Sequence, residues 1–142
     1  MPHQCKSLVI NCMDFRISSA VHHFMISQGL KNNYDHVSVA GGALSLANPK
    51  IEADREFVMG QIDMSIKFHG ISQVYLINHT DCGAYGGKKA FHSDEKVEKE
   101  WHKGDLKDAK KVILAKFPQL EVIMVLARLE ENGSIDFEVI NN

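Results

Sequence analysis

Short apolar runs alternate with longer amphipathic stretches along the chain, in the predicted order β-α-β-α-β-α-β-β. The first run, Leu8-Val9-Ile10, is continuously apolar, as a strand covered on both faces requires. Strands are predicted over residues 7–12, 35–40, 73–78, 120–129 and 134–140. Strands that alternate with helices are typical of an α/β fold with a mostly parallel sheet.

Three stretches between these strands carry an apolar stripe at helical spacing. Helices are predicted from Ser18 or Ser19 to near Gly29, from about Glu52 to His69, and from Ser93 to Lys116. The third helix is predicted to be broken around Lys103-Gly104-Asp105. Met59 and Met64 of the second helix are expected to fill the core.

The end of the chain predicts a hairpin, because Glu131-Asn132-Gly133 provides a turn between the last two strands. No repeat, low-complexity tract or Pro/Gly linker divides the sequence. The predicted fold class is therefore α/β, a doubly wound and mostly parallel sheet with a C-terminal antiparallel hairpin strand. A single domain is expected to span residues 1–142.

Composition and charge limit the kinds of partner that the protein is expected to bind. The chain has 142 residues and a net charge of -2, with no basic cluster of the kind that binds nucleic acid. Its longest apolar stretch, Val122 to Ala127, is far shorter than the roughly 20 residues that cross a bilayer. The N-terminus lacks an apolar stretch followed by a cleavage site. We therefore expect a cytoplasmic protein with no nucleic-acid and no membrane partner.

Three cysteines, an odd number, favour metal or thiol chemistry over a disulfide framework. Cys12 ends the first predicted strand, and His79 and Cys82 end the third. The first and third strands lie side by side if the second strand is on the other flank, and functional sites collect where the winding reverses. These three side chains are therefore expected to converge. Cys5, in the N-terminal segment, is expected to be a free thiol.

Two thiolates and an imidazole are preferred ligands of Zn²⁺, and His79-x-x-Cys82 has a suitable short spacing. Three protein ligands leave a fourth position open, which is typical of catalytic zinc. Two thiolates cancel the charge of the ion, so it should acidify its water less than a three-histidine site would.

Asp14 and Arg16 follow Cys12 and are predicted to act beside the metal. The carboxylate could orient a metal-bound hydroxide while Arg16 holds it through a charge-assisted pair. If Arg16 released it, Asp14 could become the fourth ligand and close the site. A plain loop salt bridge or a turn cap is the alternative interpretation of the pair.

Cys12-x-Asp14-x-Arg16 followed by His79-x-x-Cys82-Gly83 resembles the paired signature of the β-class carbonic anhydrases. The resemblance covers roughly Leu8 to Gly87. It implies zinc bound by Cys12, His79 and Cys82, an Asp14–Arg16 dyad, a parallel α/β fold, and dimers or higher assemblies with sites near the interface.

The resemblance implies zinc-dependent, reversible hydration of carbon dioxide to bicarbonate through zinc-bound hydroxide. Phe15 and Val39 would then form a wall facing carbon dioxide. Phe15 and Ser38-Val39 depart from the residues common in the family at these places, and an N-terminal helical arm is missing. The alternative is a zinc-binding homologue with little or no hydratase activity, in a sensor or structural role. Nucleotide binding at Gly41-Gly42 is a third and weaker hypothesis, because the full glycine fingerprint is absent.

Six further histidines are expected to titrate at the surface, where one could carry protons between the site and buffer; they are His22, His23, His36, His69, His92 and His102.

Overall fold

The computed structural model describes residues 3–142; Met1 and Pro2, which the predicted domain includes, lie outside the described residues. The strands are β1 (Ser7–Asn11), β2 (Tyr34–Ser38), β3 (Gln73–His79), β4 (Glu121–Leu129) and β5 (Ile135–Ile140). The α-helices are α1 (Ser18–Ser27), α2 (Leu44–Ala47), α3 (Glu52–His69) and α4 (Glu95–Lys116). Short 3-10 turns cover Phe15–Ile17, Gly83–Tyr85 and Lys88–Phe91.

The strands form one sheet in the order β2-β1-β3-β4-β5. All neighbours are parallel except β4 and β5, which pair antiparallel from Met124 opposite Ile140 to Leu129 opposite Ile135. The predicted fold class and its C-terminal hairpin strand are confirmed. The chain moves outward from β1 to β2 and then returns to β3 on the other side of β1, so the winding reverses between β1 and β3.

The sheet is packed on both faces, since side chains of a strand point alternately to opposite sides. On one face, Leu8, Ile10 and Leu76 pack in the apolar cluster that contains buried residues of α2, α3 and α4. On the other, Val9 and Ile77 pack in the cluster that contains buried residues of α1. This two-sided burial explains the continuously apolar sequences of the central strands.

The predicted break in the last helix is wrong, because α4 runs without interruption from Glu95 to Lys116. Its buried positions recur at intervals of three and four residues: Glu98, His102, Leu106, Ala109 and Ile113. Packing of this face outweighs the roughly 1 kcal/mol that a glycine costs inside a helix. The helix begins after Asp94, whose carboxylate accepts hydrogen bonds from the N–H groups of Lys96 and Val97.

Smaller differences occur around β2 and α3. The strand ends at Ser38 rather than at residue 40, and the chain turns at Gly41 and Gly42, which both have positive φ. The one-turn helix α2 follows and was not predicted. In α3, Met59 is buried as expected, whereas Met64 is 48% exposed, so its predicted core role is wrong. None of the helices in the described residues is long and apolar enough to cross a membrane.

Gly104 and Gly42 give opposite predictions for the same substitution. A Cβ on Gly104 would meet no atom within 4 Å, so Gly104→Ala should stabilise the protein by about 0.5–1 kcal/mol. Gly42 has φ of +57°, and a Cβ there would lie 2.9 Å from Ile77 O. Gly42→Ala should therefore destabilise it by about 1–3 kcal/mol. Urea unfolding of both variants is the measurement, and a destabilising Gly104→Ala would contradict this description of α4.

Candidate metal centre

The register of β1 and β3 brings the candidate ligands together. Asn11 pairs with Ile77 in the parallel ladder, so Cys12 and His79 both lie at the carboxyl ends of adjacent strands. Cys82 follows three residues after His79, where its carbonyl accepts hydrogen bonds from the N–H groups of Tyr85 and Gly87. The turn thereby holds Cys82 beside the strand ends.

One donor atom from each of Cys12, His79 and Cys82 lies within 4.8 Å of the other two. All three residues are buried, with 1–6% of their surface exposed. The sulfur atoms of Cys12 and Cys82 are 3.8 Å apart. Two Zn–S bonds of about 2.3 Å at the tetrahedral angle span about the same sulfur–sulfur distance. These residues form a possible metal site, and their donor set fits zinc.

The imidazole of His79 is oriented by its own backbone neighbour. Nδ1 of His79 is 2.7 Å from the carbonyl oxygen of Thr80. Because a carbonyl can only accept, Nδ1 carries the proton and Nε2 holds a free lone pair. This buried Nε2 has no hydrogen-bond partner. Burying a polar nitrogen without a hydrogen-bond partner costs free energy, unless that nitrogen binds a ligand such as a metal ion.

The two thiols differ in their surroundings. Cys12 Sγ accepts a hydrogen bond from the N–H of Gly41 at 3.4 Å. The pKa of Cys12 is lowered, chiefly because the Cys82 thiol hydrogen-bonds to it, with a smaller contribution from the Gly41 N–H. The same contact raises the pKa of Cys82, and burial adds to the effect. The surroundings therefore favour the thiolate form of Cys12, and a bound cation would favour the thiolate form of Cys82 as well.

Asp14 lies next to this cluster and is held by Arg16. Asp14 Oδ2 accepts from Nη2 of Arg16 at 2.7 Å and lies 3.7 Å from Nε2 of His79. The Arg16 backbone N–H donates to Oδ1 at 2.8 Å. Hydrogen bonds from the guanidinium lower the pKa of Asp14 to about 2. The structure thus brings the predicted pair together beside the cluster, with Asp14 bound to Arg16.

Asp81 is a further residue of the site that the sequence reasoning missed. Its carboxylate oxygen Oδ2 lies 3.1 Å from Nη1 of Arg16, and its carbonyl accepts from Nη2 at 2.9 Å. The Asp81 N–H donates in turn to the buried carboxylate of Glu98 in α4. Asp81 has φ of 55°, a backbone conformation that aspartate tolerates better than most residues. Its place inside His79-x-x-Cys82 was the available signal.

A buried polar network supports the end of β3. Asn78 Oδ1 accepts from the N–H of Ala43, and its amide group contacts Tyr85 Oη and Nδ1 of His102. Tyr85 Oη donates to Asp105 at 2.8 Å. His102 is fully buried, so its predicted surface position is wrong. Burial lowers the pKa of His102 to about 4. His102 is buried because it lies on the packed face of α4.

Val39 and Phe15, predicted to share an apolar wall, lie in different surroundings. Val39 lines a cleft of about 470 Å³ together with Leu44, Phe57 and Ala84. Phe15 is 85% exposed and is not among the residues that line this cleft. In the sequence, Ala84 of this cleft is two residues from Cys82 of the metal cluster.

Comparison with known sequences supports the resemblance in the motifs. Residues 2–136 match the family described as "Putative carbonic anhydrase". The chain belongs to this carbonic anhydrase family. It is 33% identical over 131 residues to an uncharacterized protein of Rickettsia conorii, covering 90% of this chain and 70% of the relative. An uncharacterized protein of Rickettsia bellii is also 33% identical, over 133 residues, covering 90% and 79%.

Solved structures show the same fold. The β-carbonic anhydrase CafA of Aspergillus fumigatus superposes with a TM-score of 0.56 at 15% identity, covering 96% of this chain and 76% of that one. The β-carbonic anhydrase CcaA superposes with a TM-score of 0.52 at 16% identity, covering 100% and 80%. The fold of this carbonic anhydrase family member is therefore that of the β-class enzymes.

The buried His102 predicts a specific pH dependence of stability. Its pKa of about 4 in the folded protein lies below the ordinary value of 6.5. Between these pH values the unfolded chain therefore binds a proton at His102, whereas the folded chain does not. Stability should therefore fall as pH drops from about 6.5 to 4, by on the order of 2–3 kcal/mol from this group.

Urea unfolding across this pH range measures the effect. His102→Asn should flatten the slope, because asparagine cannot take up the proton, whereas the surface control His23→Gln should keep it. Equal slopes for the wild type and His102→Asn would show that His102 does not control this part of the profile.

Proposed function

We propose that the protein binds one zinc ion through Cys12, His79 and Cys82 and catalyses the reversible hydration of carbon dioxide to bicarbonate. The observation that carries this proposal is the buried, unpartnered Nε2 of His79 beside two sulfur atoms 3.8 Å apart. Membership of the carbonic anhydrase family supports the same reaction. When bound, zinc supplies Lewis acidity that makes a water molecule nucleophilic near neutral pH.

Asp14 would orient the attacking oxygen rather than remove its proton. With a pKa of about 2, its carboxylate is ionised at neutral pH, so it accepts hydrogen bonds and is a weak base. Its Oδ2 lies 3.7 Å from Nε2 of His79, close to the atoms that would hold the metal. A carboxylate at that place would fix the direction of the nucleophile's lone pair.

Arg16 would keep that carboxylate in place. Its guanidinium donates to the carboxylates of both Asp14 and Asp81 and to the carbonyl of Asp81. Two residues therefore hold it in place, rather than a single ion pair. Charge-assisted hydrogen bonds of this kind are stronger and more directional than neutral ones. The pair would therefore hold Oδ2 of Asp14 toward the cluster during turnover.

The cleft lined by Val39, Leu44, Phe57 and Ala84 would admit the substrate. Carbon dioxide has no net dipole and no hydrogen to donate, so apolar walls suit it. Bicarbonate, the charged product, would leave by exchange with water.

The second candidate function is zinc binding with little or no hydration, in a sensor or structural role. The position of Asp14 favours it, because an oxygen 3.7 Å from the ligating nitrogen is little farther than the roughly 3.3 Å between two ligands of one tetrahedral zinc ion. If Asp14 left Arg16, it would fill the fourth position and exclude the substrate oxygen.

Stopped-flow hydration of carbon dioxide by the zinc-loaded protein separates the two functions. The hydratase should lose at least about a hundredfold in kcat/KM in Asp14→Asn while keeping its zinc, because the nucleophile is no longer oriented. Cys82→Ser should lose the zinc ion that Cys12 and His79 would share with Cys82, and the activity with it. Two matched controls, Asp63→Asn in α3 and Cys5→Ser, should keep the wild-type rate.

A wild-type protein that holds zinc yet hydrates carbon dioxide no faster than buffer would contradict the enzyme and favour the second candidate. Wild-type zinc content in Cys82→Ser would contradict the proposed ligand set.

We further propose that the protein forms a homodimer or a higher homo-oligomer. The resemblance to β-class enzymes implies this, and several large apolar side chains are exposed in the single chain, among them Met13, Phe15, Ile51, Phe57 and Phe68. Sedimentation velocity should give a mass that is a multiple of 15.9 kDa. A single-chain mass at micromolar concentration would contradict the assembly.

We also propose a cytoplasmic location. All three cysteines are free in the structure, and thiol ligands persist in a reducing compartment.

A further inference from the structure

A second cluster of metal-ligating side chains lies at the opposite end of the sheet from the candidate metal centre. Cys5 precedes β1, Asp35 is in β2, and His69 ends α3. One donor atom from each of these residues lies within 4.8 Å of the other two. All three are partly buried. Three separate elements therefore supply a sulfur, an oxygen and a nitrogen to one place.

The backbone and a buried hydroxyl hold these side chains in position. The N–H of Cys5 donates to the carbonyl of His69 at 3.0 Å, which fastens the N-terminal segment to the end of α3. Oδ2 of Asp35 accepts hydrogen bonds from Oγ of Ser65 at 2.6 Å and from Nδ1 of His69 at 2.7 Å. A bound ion would replace the proton between Nδ1 and Oδ2 and move these two atoms apart to about 3.3 Å. Ser65 is only 5% exposed. The ligand set is thus fixed by packed elements, as metal sites require.

The ring of a further histidine packs against the cluster. The ring of His3 lies edge-on to the ring of His69, with 5.0 Å between the ring centroids. Cys5, Asp35 and His69 offer one sulfur, one oxygen and one nitrogen, and a water molecule would complete tetrahedral coordination.

The chemistry of this donor set selects the class of ion. Thiolate and imidazole ligands suit zinc and related transition metals, whereas Ca²⁺ and Mg²⁺ prefer oxygen throughout. The Cys5 thiolate and the Asp35 carboxylate would repel each other if both were ionised, and a divalent cation between them removes that repulsion.

We propose that Cys5, Asp35 and His69 form a second zinc-class metal site with a structural role. It fastens the segment before β1 to β2 and to the end of α3. The length of β1 separates Cys5 from Cys12 by roughly 20 Å, so the two sites are independent. Cys5 is a free thiol in the structure, as predicted, and on this proposal it becomes a ligand when zinc binds.

Alkylation of the intact wild-type protein tests the site without a variant. Each cysteine is followed separately by peptide mass spectrometry after iodoacetamide treatment, with and without saturating zinc. Zinc should slow alkylation of Cys5 at least about tenfold, because a coordinated thiolate is shielded. His69→Gln should lose this protection, and the surface control His23→Gln should keep it.

Metal analysis provides the second measurement. Cys5→Ser should hold about one zinc per chain fewer than the wild type while hydrating carbon dioxide at the same rate. Circular dichroism checks that the variants fold. Unchanged alkylation of Cys5 in zinc, or equal zinc content in the wild type and Cys5→Ser, would overturn the second site. Because Cys12 and Cys82 are measured separately, failure there would concern the proposed active site alone.

Discussion

The structure depends on one constraint: three metal-ligating atoms are buried together, and their hydrogen bonds within the protein do not satisfy all of them. Two thiols and an imidazole nitrogen meet at the ends of β1 and β3, and Nε2 of His79 has no hydrogen bond. Burying such a group costs free energy unless something completes its coordination. The parallel register brings Cys12 and His79 together, and the turn after β3 adds Cys82, so the fold itself imposes this cost.

The second feature of the site is that its charged groups are tied to distant elements. Arg16 joins the segment after β1 to the loop after β3 through Asp14 and Asp81. Glu98 then joins that loop to α4 through the N–H of Asp81. A change on the packed face of α4 can therefore alter the carboxylate of Asp14 through named hydrogen bonds, without touching the metal ligands.

The fold class and the residues of the candidate site could be predicted because their signals are local. Continuous apolar runs mark the central strands, and the residues directly after two of them carry the chemistry. The unbroken α4 and the burial of His102 could not be predicted this way, since packing against the sheet outweighs glycine propensity and decides which polar residues are enclosed. Asp81 lies inside His79-x-x-Cys82 but was missed, because only the folded structure shows its contact with Arg16.

Anomalous diffraction at the zinc absorption edge, from crystals of the zinc-loaded protein, tests the central claim most directly. We expect a strong peak within bonding distance of both sulfur atoms of Cys12 and Cys82 and of Nε2 of His79. A map with no peak there, or a disulfide between Cys12 and Cys82 in protein kept reduced, would contradict it.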